Sequence, residues 1–295
     1  MTKYLGIDVG GGSIRGSVID EQGNLYLDLS VKTNPESSNE ELIDSIGKLI
    51  DQAEEKETFD AIGIGTPGPI NIDEGIIYAS ANLKNLKNTP LIQGLKSKTN
   101  LPIHFNNDSN CASLGEYYFG DNSRVERLFV FTLGTGLGGG FIYQGKLYNG
   151  LQGNGMEVGH ITVIPKGAKC GCGQLGCAES YFSTSGFLAR YKDKTNKTLS
   201  DAKAFFDLIR AGDEDCKEIL ELGVEAFSDC IRSVVHLLNP QKIVFLGGIS
   251  QSYDLFGKSL EEKLGQKIFP VLAQTINYSV GKKLAGSFGA ASLCF

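Results

Sequence analysis

The stretch RLFVFTLGTGLGGGFIYQGKLY, residues 127–148, carries the spacing G-x-G-x-x-G at Gly134, Gly136 and Gly139 directly after an apolar, strand-like run. A dinucleotide-binding Rossmann unit needs a helix to begin there, because the pyrophosphate rests on the helix N-terminus. The next residues, FIYQGKLY, are aromatic and β-branched around a central turn and read as strand. The dinucleotide reading therefore fails on context. The glycines belong to a strand–turn–strand, whose backbone N–H groups suit a phosphate. No Walker A sequence occurs in the chain, which excludes the P-loop class.

The same grammar opens the chain. KYLGIDV, residues 3–9, is a first strand, Gly10, Gly11, Gly12 and Ser13 form a tight turn, and residues 14–20 return as a second strand. Asp8 ends the first strand, where a carboxylate can hold Mg²⁺ through water while the turn meets a phosphate. A plain structural hairpin is the alternative at this turn. Glu21, Gln22, Gly23 and Asn24 turn the chain into a third strand reaching about residue 31. Leu42, Ile43, Ile46, Leu49, Ile50 and Ala53 recur at helical spacing and predict an amphipathic helix over 37–56. Next come a buried strand over 59–65, a strand or loop at 75–81, a short helix at 91–98 and a strand at 102–105. Asn107 and Asp108 then open the helix of NDSNCASLGEYYFG.

After a polar link at 120–126 come strands at 127–133, 140–144 and 146–148. Helices are expected at 200–209 and 213–238, then a strand at 242–246, the turn Gly247-Gly248, another helix, a strand at 275–280 and a last helix at 286–293. Two halves that each open on three strands and a glycine turn predict a duplicated α/β fold with a central cleft, ligands lying at strand ends that face it. The expected domains are 1–119, completed by the terminal helix 286–295, and 120–285.

Between the second half's strands and its helices lies EVGHITVIPKGAKCGCGQLGCAE, residues 157–179. Cys170, Cys172 and Cys177 form C-x-C-x₄-C among glycines that free the backbone to wrap, and His160 is the nearest nitrogen donor. The pattern predicts a tetrahedral structural zinc on these four side chains, against the plainer reading of reduced cysteines in a glycine loop. Glu157 and Glu179 bracket the knot, so the metal would fix two acidic groups in place.

Asp108 is the catalytic candidate. A carboxylate at a helix N-terminus is expected to stay ionised, its pKa lowered by the helix dipole, and can accept the proton of a hydroxyl attacking phosphorus. The competing reading is a plain N-cap.

Composition bounds the rest. The 295 residues hold 41% hydrophobic and 21% charged residues at a net charge of −6, which fits a globular protein and disfavours nucleic acid or an acidic membrane as main partner. No apolar run approaches the ~20 residues that span a bilayer, and the start has no signal-peptide pattern. Cys111, Cys216, Cys230 and Cys294 read as buried free thiols, so a reducing, cytoplasmic setting is expected.

Taken in order, GIDVGGGSIRG, GTPGP, ASANL, FNNDSNCASLGE, GTGLGGG, EVGH, CGCGQLGC-AE and FLGGIS resemble the ROK family of sugar kinases and sugar-responsive repressors over essentially the whole chain. The resemblance implies an actin-like (ribonuclease-H-like) two-domain α/β fold with ATP and sugar in the cleft. It implies that Asp108 is the base, that Asn107, Glu157, His160 and Glu179 bond the sugar hydroxyls, and that Gly68 and Asn82 line the same pocket. His160 would be shared between zinc and sugar. The turns at Gly10, Gly11, Gly12 and Ser13 and at Gly134, Thr135 and Gly136 would meet the phosphates, with Gly247 and Gly248 beside the adenosine. Two positions depart from the pattern. The first turn commonly reads GGT-K and here reads Gly11-Gly12-Ser13, and Met156 stands where glucokinase-like members often carry glycine.

The expected activity is an ATP-dependent hexose kinase acting with Mg²⁺ on the 6-hydroxyl, glucose first. N-acetylmannosamine kinase, fructokinase and a silent sugar sensor are the alternatives. The family's repressors carry a helix-turn-helix before the first glycine turn, and only two residues precede Lys3 here, so no DNA-reading element is expected. The long helix near 213–238 and the resemblance together suggest a homodimer.

Overall fold

The computed structural model describes residues 1–80, 83–121, 123–282 and 284–295. They form two compact units. One comprises Met1–Glu126, Gly140–Met156 and Lys282–Phe295; the other Arg127–Gly139 and Glu157–Gly281.

The first unit begins with an antiparallel ribbon of β1 (Tyr4–Val9), β2 (Ser13–Ile19) and β3 (Leu25–Lys32), then α1 (Asn39–Glu54). The capping box between Ser38 and Glu41 starts α1; of the predicted stripe, Leu42, Ile46, Leu49, Ile50 and Ala53 are buried and Ile43 is half-buried. β4 (Ala61–Thr66) follows, then the short hairpin β5 (Ile70–Asn71) and β6 (Ile76–Ile77), α2 (Leu91–Leu95), β7 (Ile103–Asn107) and α3 (Asp108–Phe119). The sheet order is β3-β2-β1-β4-β7, with β1, β4 and β7 parallel. Every residue of β4 is buried, as expected for a parallel strand covered on both faces.

The second five-stranded sheet repeats that order. Its strands are β8 (Arg127–Leu133), β9 (Leu137–Tyr143), β10 (Lys146–Leu147), β11 (Lys242–Leu246) and β12 (Asn277–Val280), arranged β10-β9-β8-β11-β12. The helices are α4 (Thr184–Thr195), α5 (Ala202–Arg210), α6 (Glu214–Leu238), α7 (Tyr253–Lys267), α8 (Pro270–Ala273) and, in the first unit, α9 (Ala285–Ala291). The core of the second unit is aromatic. Phe182 stacks on Phe227 at 4.4 Å, Phe187 on Phe205 at 4.7 Å, and Phe131 meets Phe227 edge-on at 5.2 Å.

α9 lies on β4 and α3 at backbone distance. A methyl on Gly63 would overlap the Ala290 carbonyl, and one on Gly289 would overlap the Cys111 carbonyl. Only glycine permits that approach.

The structure departs from the sequence reading in three places. α4 was not predicted; its sequence TSGFLARYKDKT buries only Gly186, Phe187 and Tyr191, too thin a stripe to stand out. β9 starts at Leu137, because its glycines adopt extended backbone instead of prolonging the turn. Residues 140–156 group with the first unit, whereas the expected boundary left them in the second. Asn149 and Asn154 draw them there through bonds to Asn106 and Ile70.

Among the described residues no helix is long and apolar enough to cross a membrane.

Candidate functional site

In the first unit the candidate residues gather at the carboxyl ends of the parallel strands. The register sets Asp8 of β1 beside Gly65 of β4, and Thr66 of β4 beside Asn107 of β7. Open α/β sheets bind ligands at this edge. The Gly10 N–H donates to the Ser13 carbonyl at 2.9 Å, closing the first turn, and Gly12 and Ser13 are exposed with open space beside Gly12. Asp8 faces Arg15 across β1 and β2 and is covered by Gly286 of α9. Burial, and then the nearby charge of Asp108, push its carboxyl up to about 7, with Arg15 pulling the other way.

Asn107 and Asp108 divide the helix start between them. Asn107, not Asp108, is the N-cap: its Oδ1 accepts from the N–H groups of Ser109 at 2.9 Å and Asn110 at 3.3 Å. Asp108 is the first helical residue, its Oδ1 accepting from the Ser109 N–H at 2.7 Å. The expected depression of its pKa is overturned. Burial pushes the Asp108 carboxyl above its ordinary value and outweighs the Ser109 bonds that lower it. A weakly solvated carboxyl is the stronger base for it.

Gly65 lets this helix start come close: a Cβ there would stand 3.0 Å from Cys111 Sγ and 3.5 Å from the Asp108 Cα. A Cβ on Gly68 would lie 3.3 Å from Asn107 Nδ2 and 3.9 Å from Asn154 Oδ1, so Gly68 and the Asn107 amide share one small space. Asn82 lies outside the described residues. Sequence reasoning missed Asn106, Asn110, Asn149 and Asn154, an amide network around this turn. Asn106 and Asn110 are four residues apart, but the ties to Asn149 and from Asn154 to Ile70 span 43 and 84 residues, so no local pattern signals the network.

In the second unit, the Gly134 N–H donates to the Gly136 carbonyl at 3.0 Å, closing the turn after β8. The unpredicted α4 supports it: Thr184 and Ser185 donate their N–H groups to the carbonyls of Gly134 and Thr135 at 3.0 and 3.1 Å. Gly247 and Gly248 end the neighbouring β11, both exposed, Gly247 at φ 99°. The two glycine turns thus share the carboxyl edge of this sheet.

Glu179 links that turn to the cysteine knot. Its Oε2 accepts from the Leu137 N–H at 3.0 Å, and its Oε1 lies 3.7 Å from Cys170 Sγ. The ligand atoms of His160, Cys170, Cys172 and Cys177 all lie within 4.8 Å of one another. Cys172 Sγ and Cys177 Sγ are 3.7 Å apart, and Cys170 Sγ is 3.6 Å from His160 Nδ1. A zinc tetrahedron with ordinary bond lengths has S···S edges of about 3.8 Å and S···N edges of about 3.6 Å. The donor set therefore fits the ion in both chemistry and spacing. Gly173 and Gly176, at φ 92° and 80°, make the turns that bring the thiols round. With Nδ1 toward the thiols, His160 presents Nε2 4.0 Å from Glu157 Oε2.

A sequence model of the ROK family matches residues 4–294. The chain belongs to the ROK family. The glucokinase of Thermotoga maritima is 32% identical over 306 residues, covering 99% of this chain and 96% of its own. The N-acetyl-D-glucosamine kinase of Haemophilus influenzae is 31% identical over 307 residues, covering 98% of each. The solved structure of a ROK glucokinase from Streptomyces griseus in complex with glucose and AMPPNP is 29% identical with a TM-score of 0.83, over 99% of this chain and 98% of that one. With the ROK family comes its actin-like two-domain α/β fold, in agreement with the sequence reading. Met156 holds φ 60°, the left-handed region that glycine adopts at least cost.

Proposed function

We propose that the protein is an ATP-dependent hexose kinase that transfers the γ-phosphoryl group to the 6-hydroxyl of a hexose, glucose first. The observation that carries this is the turn Asn107-Asp108. It pairs a base of raised pKa with an amide donor at the carboxyl edge of a parallel sheet, in a chain 29% identical to a glucokinase solved with glucose and AMPPNP. Asp108 takes the proton of the attacking hydroxyl, and its raised pKa brings it nearer the operating pH, where a general base works best. Asn107 has spent its Oδ1 on the helix and has Nδ2 to donate to a sugar hydroxyl. Gly68 leaves room for it, with Asn82 as a further pocket residue.

Glu157, Glu179 and His160 Nε2 complete the sugar's hydrogen bonds. The N–H groups of Gly10, Gly11, Gly12 and Ser13 and of Gly134, Thr135 and Gly136 receive the phosphates, with Gly247 and Gly248 at the adenosine. Asp8 would hold Mg²⁺, which neutralises phosphate charge when bound. His160, Cys170, Cys172 and Cys177 would hold a structural zinc that fixes Glu157, His160 and Glu179. A cytoplasmic homodimer completes the reading; a monomer mass by light scattering at micromolar concentration would remove the dimer.

N-acetylglucosamine is the second substrate reading, favoured by curated relatives of that activity at 31% identity. ADP release from ATP across glucose, N-acetylglucosamine, mannose, N-acetylmannosamine and fructose tests both. The highest kcat/KM should fall on glucose. If it falls on N-acetylglucosamine the second reading stands, and silence on every sugar removes the kinase.

A further inference from the structure

The turn that carries Asn107 and Asp108 is held by amides with no part yet in the chemistry. Asn106 is 4% exposed and Asn110 1% exposed, so their polar atoms depend on protein partners. Asn106 Oδ1 accepts from the backbone N–H of Asn107 at 2.8 Å and from Asn110 Nδ2 at 2.9 Å. Asn106 Nδ2 donates to Asn149 Oδ1 at 2.9 Å, forty-three residues along the chain. Asn110 Nδ2 also reaches the Gly153 carbonyl at 3.4 Å. The far end of the same loop is pinned by Asn154, whose amide exchanges two bonds with the Ile70 backbone at 2.8 and 2.7 Å. One buried carboxamide thus grips the backbone just before the base, the first turn of α3 and the 149–154 loop.

We propose that Asn106 is a positioning residue for phosphoryl transfer, its amide fixing the Asn107-Asp108 turn against the 149–154 loop through Asn149. The proposal rests on the kinase reading above. The grip bears on the base more than on substrate affinity. It acts on the peptide that leads into the cap and first residue of α3, so its loss shifts Asn107 and Asp108 together. An equal shift costs more at the base, which must meet the moving proton, than at one of several sugar hydrogen bonds. A displacement of about 1 Å at a reacting group costs on the order of 10²-fold in rate.

The signature is a split between kcat and KM. In Asn106→Ala, kcat should fall about 30- to 100-fold while the KM values for sugar and ATP stay within about threefold, measured on protein shown folded by circular dichroism. Asn149→Ala removes the outer tie alone and should lower kcat about three- to tenfold, again at nearly constant KM. The double variant should be no slower than Asn106→Ala, because both changes break the same chain of bonds.

Folded Asn106→Ala with kcat within twofold of the parent overturns the proposal, as does a loss confined to melting temperature. If Asn106→Ala does not fold, Asn149→Ala decides: unchanged kcat overturns the proposal, and reduced kcat at constant KM supports it. The two readings fail differently. A parent that turns over while both variants keep its kcat loses only the positioning role; a parent that transfers no phosphoryl group loses both.

Discussion

Replacing Asp108 by Asn separates chemistry from helix capping, and the structure makes the separation clean. The cap belongs to Asn107 through its bonds to the Ser109 and Asn110 N–H groups, and Asp108→Asn leaves both intact. The new amide oxygen can still accept from the Ser109 N–H. Burial raises the Asp108 pKa, so the ionised carboxylate is a cost to the fold near neutral pH, and a neutral side chain relieves it. The melting temperature at pH 8 should therefore hold or rise. What disappears is the acceptor for the hydroxyl proton, worth ~10² to 10⁴-fold in rate, or about 2.7 to 5.5 kcal/mol of barrier. A coupled assay of ADP release should show kcat down by that order with the sugar KM within a fewfold. In the parent, the acid limb of kcat/KM should lie above the ordinary carboxylate range of about 4, because activity is lost as Asp108 protonates. Turnover by Asp108→Asn within a fewfold of the parent would refute this assignment.

The same geometry sets three further outcomes. Asn107→Ser keeps a hydroxyl able to cap α3 but removes the Nδ2 donor, so the sugar KM should rise about tenfold with a melting temperature within about two degrees of the parent; an unchanged KM would take Asn107 out of the sugar site. Asp8, pushed up to about 7, favours the protonated fold, so the stability it contributes is full below about pH 4 and lost as pH rises toward 7. Without nucleotide or added Mg²⁺, Asp8→Asn should therefore gain in melting temperature over the parent between pH 5 and pH 8, and a flat difference would contradict the assigned burial. Freshly purified protein should contain about one zinc per chain, and Cys172→Ser should lower metal content and melting temperature together; metal analysis of the parent that finds no zinc rejects the metal site.

Local patterns carried much of this in the sequence. The stripe of α1, the strand reading after Gly139 and the cysteine spacing each lie within about twenty residues, and each appears in the fold, the strand starting earlier than expected at Leu137. Properties set by distant chain segments were illegible. The pKa of Asp108 reversed sign because burial, which no local pattern reports, outweighed the helix start. The cap passed to Asn107 because two adjacent capping residues compete for one role and tertiary packing chose. α4 hid because its buried face needs only Gly186, Phe187 and Tyr191 against an aromatic core, yet it holds the second glycine turn.

Identification of the product tests the central claim most directly. Purified protein incubated with ATP, Mg²⁺ and glucose and monitored by ³¹P NMR should give ADP and a phosphomonoester on the 6-oxygen of glucose in equal amounts, and 6-deoxyglucose should give none. ADP formed without sugar phosphate, phosphate on another oxygen, or no turnover on any hexose of the panel would contradict the account.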